Sequence, residues 1–155
     1  MAQYRKLSLN ELENLNEEFI KFLLVQNLTL IDWEKIKKED VSKTNQLIDT
    51  FSDLVFDKIL TDTQFALKVN DKRVEAYQFY SKEMMLIALQ AKPNSSIDFN
   101  KNTLNQINLS ELEIFRGKKK YLKDRNKEVF DLLQTGAQKS DGKYFKQLAL
   151  LLVDA

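Results

Sequence analysis

Apolar positions along the chain change their spacing just after Asp62. Before that point Leu12, Leu15, Phe19, Phe22 and Leu23 recur every three or four residues, the period of one helix face, and Ile20, Leu24 and Val25 widen the stripe toward its end. Ser8 with Glu11 three residues later forms a capping box, and Leu7 with Leu12 supplies the hydrophobic staple, so a first helix is predicted to start there. Glu11, Glu13, Glu17 and Glu18 crowd its early turns, where the helix dipole favours negative charge. A shorter helix is predicted after Thr29, with Asp32 at the capping-box position and Trp33 and Ile36 facing inward. A third, from Lys43 to Leu60, carries Leu47, Ile48, Phe51, Leu54, Val55 and Ile59 on one face.

Beyond Asp62 the period drops to two. Phe65, Leu67 and Val69 alternate with Ala66, Lys68 and Asn70, and polar turns at residues 70–73 and 81–83 separate three predicted strands, with 84–91 the most buried. The only proline, Pro93, breaks the chain, and a weakly periodic stretch follows with one short helix expected at residues 103–107. Leu112 and Ile114 predict a fourth strand ending before Gly117. Helices are then expected from Leu122 to Gln134, capped by Gly136, and from Lys143 to Val153. The expected fold class is α+β: N-terminal helices over residues 8–62, an antiparallel β-meander of three to four strands over 63–116, and two C-terminal helices over 122–153, all in a single domain of residues 1–155.

Composition narrows the chemistry. With 43% hydrophobic residues, ten Phe and five Tyr in 155, the chain has enough apolar material for a core. It holds no Cys and no His, which excludes disulfides, thiol nucleophiles and Cys-ligated metals, and removes the commonest general base and transition-metal ligand. Three glycines, at 117, 136 and 142, build neither a dinucleotide fingerprint nor a P-loop, and there is no nucleophile elbow. Asp141-Gly142-Lys143, a spacing seen in nuclease-like sites, falls in a predicted turn. No cofactor is implied, and a carboxylate-only hydrolase is the form of catalysis these residue types still permit. The opening residues lack the apolar run of a secretory signal, and the longest such run, Leu148–Val153, is too short to cross a bilayer; a cytoplasmic location without membrane partner is expected.

The formal net charge of +1 conceals an asymmetry. Residues 1–62 hold 8 basic and 12 acidic side chains, a net of −4, whereas residues 63–155 hold 16 and 11, a net of +5. The basic excess is densest in Arg116, Lys118, Lys119, Lys120, Lys123, Arg125 and Lys127, seven cations in twelve residues around a single acid, Asp124. Gly117 would let a backbone approach a phosphate, and Tyr121 offers a stacking surface among the charges. Two readings stand side by side: an anion or nucleic-acid contact formed by these residues, or a strand-to-helix loop kept soluble by its lysines. Asp49, Asp53 and Asp57 make one acidic stripe on the third helix; carboxylates on one straight helix diverge, so a solvated face or a contact for a basic partner fits better than a metal site. Tyr77 and Phe79 share one strand face while Tyr80 lies opposite, which suits core packing better than a base-stacking platform.

Tyr4-Arg-Lys-Leu-Ser-Leu-Asn-Glu-Leu, Glu18-Phe-Ile-Lys-Phe-Leu, Asp32-Trp-Glu-Lys-Ile-Lys-Lys-Glu, Phe51-Ser-Asp-Leu-Val-Phe and Gly117-Lys-Lys-Lys-Tyr-Leu-Lys-Asp-Arg-Asn together resemble a small family of unknown function from Bacteroidetes, over nearly the whole chain. That resemblance implies a stand-alone bacterial domain and brings no catalytic residues with it. The expectation is therefore a non-enzymatic binding or adaptor protein acting through a protein–protein surface on a protein partner, the alternative being nucleic-acid binding through Arg116 to Lys127.

Overall fold

A computed structural model describes residues 1–153 of the chain. Its contacts group into two compact units, Met1–Ile59 and the chain from Leu60 onward.

The first unit is helical: α1 (Leu9–Asn14), α2 (Asn16–Val25), α3 (Leu30–Glu39) and most of α4 (Val41–Asp62). Both predicted capping boxes form, Ser8 with Glu11 at α1 and Thr29 with Asp32 at α3. The single first helix expected from the periodicity is broken at Leu15, whose N–H is shared between the carbonyls of Glu11 and Leu12. Asn14 and Asn16, poor helix formers, flank that break, and the apolar stripe nevertheless passes through it. Leu7, Phe19, Phe22, Leu23 and Phe51 form the core, with Leu12, Leu15 and Trp33 against it; Trp33 meets Phe19 edge-on at 5.0 Å.

The second unit is built on a five-stranded antiparallel sheet, in the order β4-β3-β2-β1-β5. The strands are β1 (Phe65–Val69), β2 (Arg73–Phe79), β3 (Glu83–Ala91), β4 (Leu112–Lys120) and β5 (Gln138–Ser140). The meander is thus as expected, with one more strand: β5, three polar residues with no alternation to betray them, pairs with β1. Helices α5 (Arg125–Gln134) and α6 (Lys143–Val153) follow β4 and β5, and 3-10 turns at Leu104–Gln106 and Leu109–Glu111 precede β4.

Register assigns the faces. Val74 and Ala76 of β2, Ile87, Leu89 and Ala91 of β3 and Leu112 of β4 share one face and pack with Phe145 and Leu148 of α6 and with Ile97 and Phe99. Gly142, at φ +88°, turns the chain into α6 so close to Phe65 that a Cβ there would lie 2.4 Å from the ring. Asp141 accepts the Lys143 N–H at 2.9 Å, so the Asp141-Gly142-Lys143 triplet serves this turn.

Candidate functional site

The basic run divides at the end of β4. Gly117 to Lys120 continue the strand four residues beyond its expected end, and α5 starts at Arg125, three residues later than expected. Lysine is a poor strand former in general, but β4 is the sheet's edge, where charged side chains reach water and discourage unwanted pairing. After its buried first residue, Leu112, every residue of β4 is exposed.

Alternation separates the cations. Arg116, Lys118 and Lys120 project on the α6 side of the sheet, in register with Ile87, Met85 and Glu83 of β3. Among the described residues none of the three forms an ion pair or side-chain hydrogen bond; Lys120 and Glu83 stand opposite each other without closing. Lys119 points to the other face, where its ammonium meets Glu128 of α5 at 3.2 Å.

Glu128 is the residue that organises the turn between β4 and α5, and the sequence reading passed over it. Its side chain is 10% exposed and accepts the N–H groups of Leu122 (2.8 Å) and Lys123 (3.2 Å) as well as Lys119. Burial pushes its carboxyl up, but the two backbone N–H donors and the Lys119 ammonium outweigh that and hold it below the usual carboxylate range. A lone Glu four residues after Asp124, in so basic a neighbourhood, was the available signal.

The remaining candidates are engaged inside this unit. The Arg125 guanidinium donates to the carbonyls of Leu60 (2.9 Å), Thr63 (2.7 Å) and Tyr80 (3.3 Å), closing the C-terminal end of α4 as a cation at a helix C-terminus does. The Tyr121 hydroxyl donates to the Tyr80 carbonyl at 2.9 Å, and burial raises its pKa. Lys123 and Lys127 lie 3.0 and 3.6 Å from Asp131, and Lys127 also sits over the Phe130 ring. Of the eight residues Arg116, Lys118, Lys119, Lys120, Tyr121, Lys123, Arg125 and Lys127, the structure therefore leaves Arg116, Lys118 and Lys120 with their charged groups turned to solvent alone.

On the opposite sheet face Gly117 stands in register with Leu86, and Leu86 with Tyr77. Having no side chain, Gly117 opens a small groove of about 180 Å³ lined by Tyr77, Met84, Leu86 and the flanking Lys118 and Lys119, with nothing within 4 Å of where its Cβ would be. The groove floor is apolar. Beside it Tyr77 donates its hydroxyl to Glu75, which also meets Arg73 at 2.8 Å.

The acidic stripe of α4 has a different fate. Asp53 accepts the Gln3 N–H (2.7 Å), Asp57 accepts the Tyr4 hydroxyl, and Asp49 lies 3.6 Å from the Lys6 ammonium. Buried Ser52 accepts the Leu7 N–H at 2.9 Å. The first residues thus lie against α4, and the stripe is what holds them there. Among the described residues no group of three or more Asp or Glu is placed to hold a metal ion, and of five surface cavities none is lined by more than one carboxylate.

A family model spans residues 1–153, the whole described chain. The chain belongs to DUF6495, a family of unknown function. No curated protein and no solved structure matches it. Membership in DUF6495 agrees with the resemblance seen in the sequence as far as a family of unknown function over nearly the whole chain, and brings no site residues with it. Among the described residues no helix is long and apolar enough to cross a membrane.

Proposed function

We propose that this member of DUF6495 is a non-enzymatic cytoplasmic binding protein that acts through a protein-recognition surface on the free edge of its sheet. The observation that carries the reading is β4: a nine-residue edge strand, exposed beyond Leu112, with Arg116, Lys118 and Lys120 in a row and no counter-ion among the described residues. The absence of Cys and His from the sequence, which removes the commonest nucleophile and general base, supports a non-catalytic role.

A protein is favoured over nucleic acid as the partner. Internal engagement of Lys119, Lys123, Arg125 and Lys127 leaves three cations facing outward, and Tyr121, the one stacking candidate, is tethered by its hydroxyl. Three phosphate contacts to a single strand would give a salt slope of only about −2, the signature of weak binding.

Photo-crosslinking in the native host tests this reading. A photoreactive residue at position 116 or 118 is expected to give protein adducts that the same residue at exposed Lys35 of α3 does not give. Adducts to nucleic acid alone, or the same protein adducts from position 35, would overturn it.

A further inference from the structure

Resting on the reading of β4 as a protein-recognition surface, we infer that its ligand is an extended acidic segment that adds antiparallel to the sheet as a sixth strand, with acidic residues at alternate positions and an apolar residue between the last two. Strand order gives β4 a single neighbour, β3, so the backbone groups on its outer side face water. Another extended chain is the partner that matches such a row of alternating N–H and C=O groups.

Register then dictates the sequence of that chain. Side chains on a pairing strand alternate between faces at the same pitch as those of β4, about 7 Å for every second residue, with the strands about 4.8 Å apart. Residues opposite Arg116, Lys118 and Lys120 therefore lie on the α6 side, where acidic groups form cross-strand ion pairs. The residue opposite Gly117 falls on the other face, beside the apolar groove over Tyr77, Met84 and Leu86. A strand that adds antiparallel, as every strand of this sheet pairs, meets Lys120 first and Arg116 last, so acidic–any–acidic–apolar–acidic is the pattern that satisfies both faces. The same charges reject a second copy of this strand, because edge-to-edge pairing of two β4 strands sets cation against cation. Arg116, Lys118 and Lys120 thus exclude self-association and select an acidic chain with one set of groups.

The test measures binding by fluorescence anisotropy at about 50 mM salt, where charge-driven affinity is strongest, using a labelled peptide with Glu-Thr-Glu-Val-Glu at its centre and Gly/Ser flanks. Two controls keep its charge: one with the three Glu contiguous, and one with the central amides N-methylated so that no strand can pair. The alternating peptide is expected to bind at least about tenfold more tightly than either control. Its binding should be lost in Arg116→Glu/Lys118→Glu/Lys120→Glu, reduced in the milder Lys118→Ala, and accompanied by slowed amide exchange along β4. Equal binding of all three peptides, no binding of any, or tighter binding of a single-stranded oligonucleotide than of the alternating peptide would overturn the inference. If protein crosslinks form at position 116 or 118 while the peptides fail to discriminate, strand addition is wrong and the surface assignment stands; if neither occurs, both are wrong.

Discussion

On α4, three aspartates spaced four residues apart each meet a group from the chain's own first six residues; on β4, three cations spaced two residues apart meet none. The two arrays look alike in the sequence, as regular rows of one sign. What separates them is the neighbouring backbone. The N-terminal segment lies against α4 and brings an N–H, a hydroxyl and an ammonium to the carboxylates, while β4 is the last strand of its sheet. Charge in the first array contributes to the stability of its unit. In the second it contributes almost nothing, since solvent-exposed charges without partners are nearly neutral to folding. A charged row that does nothing for its own fold is available for recognition.

Mutations can sharpen or break that contrast, and the largest effect should come from the one carboxylate that ties the basic segment down. Glu128→Ala leaves the Leu122 and Lys123 N–H groups without an acceptor beside a released Lys119, and is expected to lower the unfolding free energy in urea by about 3 kcal/mol. On α4, Asp57→Ala removes the carboxylate that accepts the hydroxyl of Tyr4, a residue only 9% exposed, and should cost about 1–2 kcal/mol; Tyr4→Phe made together with it should cost less than the sum of the two single changes, because both break the same hydrogen bond.

A pH titration gives the next effect in size. Hydrogen bonds from Arg5, then from the Ser8 N–H, pull the Glu11 carboxyl down to about 2 from 4.5. Because the folded value is the lower one, the stabilisation is complete above the unfolded value and is lost as the pH falls from about 4.5 toward 2. Glu11→Gln should flatten the stability profile in that window, by less than the loss in Asp57→Ala, and a carboxyl chemical-shift titration would check the value directly.

The smallest expected change closes the comparison. Replacing Arg116, Lys118 and Lys120 together by Gln should alter stability by no more than about 0.5 kcal/mol. Sedimentation velocity at high concentration should meanwhile show self-association rising, because the edge has lost its charge barrier. A destabilisation as large as that of Glu128→Ala would mean that β4 is engaged after all.

Much of this was legible from residue spacing. Ser8 with Glu11 and Thr29 with Asp32 announced their helix starts because capping is local chemistry, and the alternation of Phe65, Leu67 and Val69 announced a strand half covered by a core. The second half of β4 was not legible: nothing in Arg116-Gly-Lys-Lys-Lys alternates, and its extended form comes from pairing with β3, a contact about thirty residues away. β5 was hidden for the same reason, being three polar residues held only by β1. The basic cluster was visible as composition, but which cations face outward depends on strand parity and on Glu128, and so on the fold.

Arg125 has a further consequence, one of timing. Its guanidinium reaches carbonyls 45, 62 and 65 residues earlier in the chain. Those partners converge only when the chain's long loops have closed, so this contact lies late on the folding route. Interactions of that kind do little to speed folding and much to slow the reverse step. Arg125 is in that sense a latch: its several hydrogen bonds act mainly on how long this unit, once formed, stays closed.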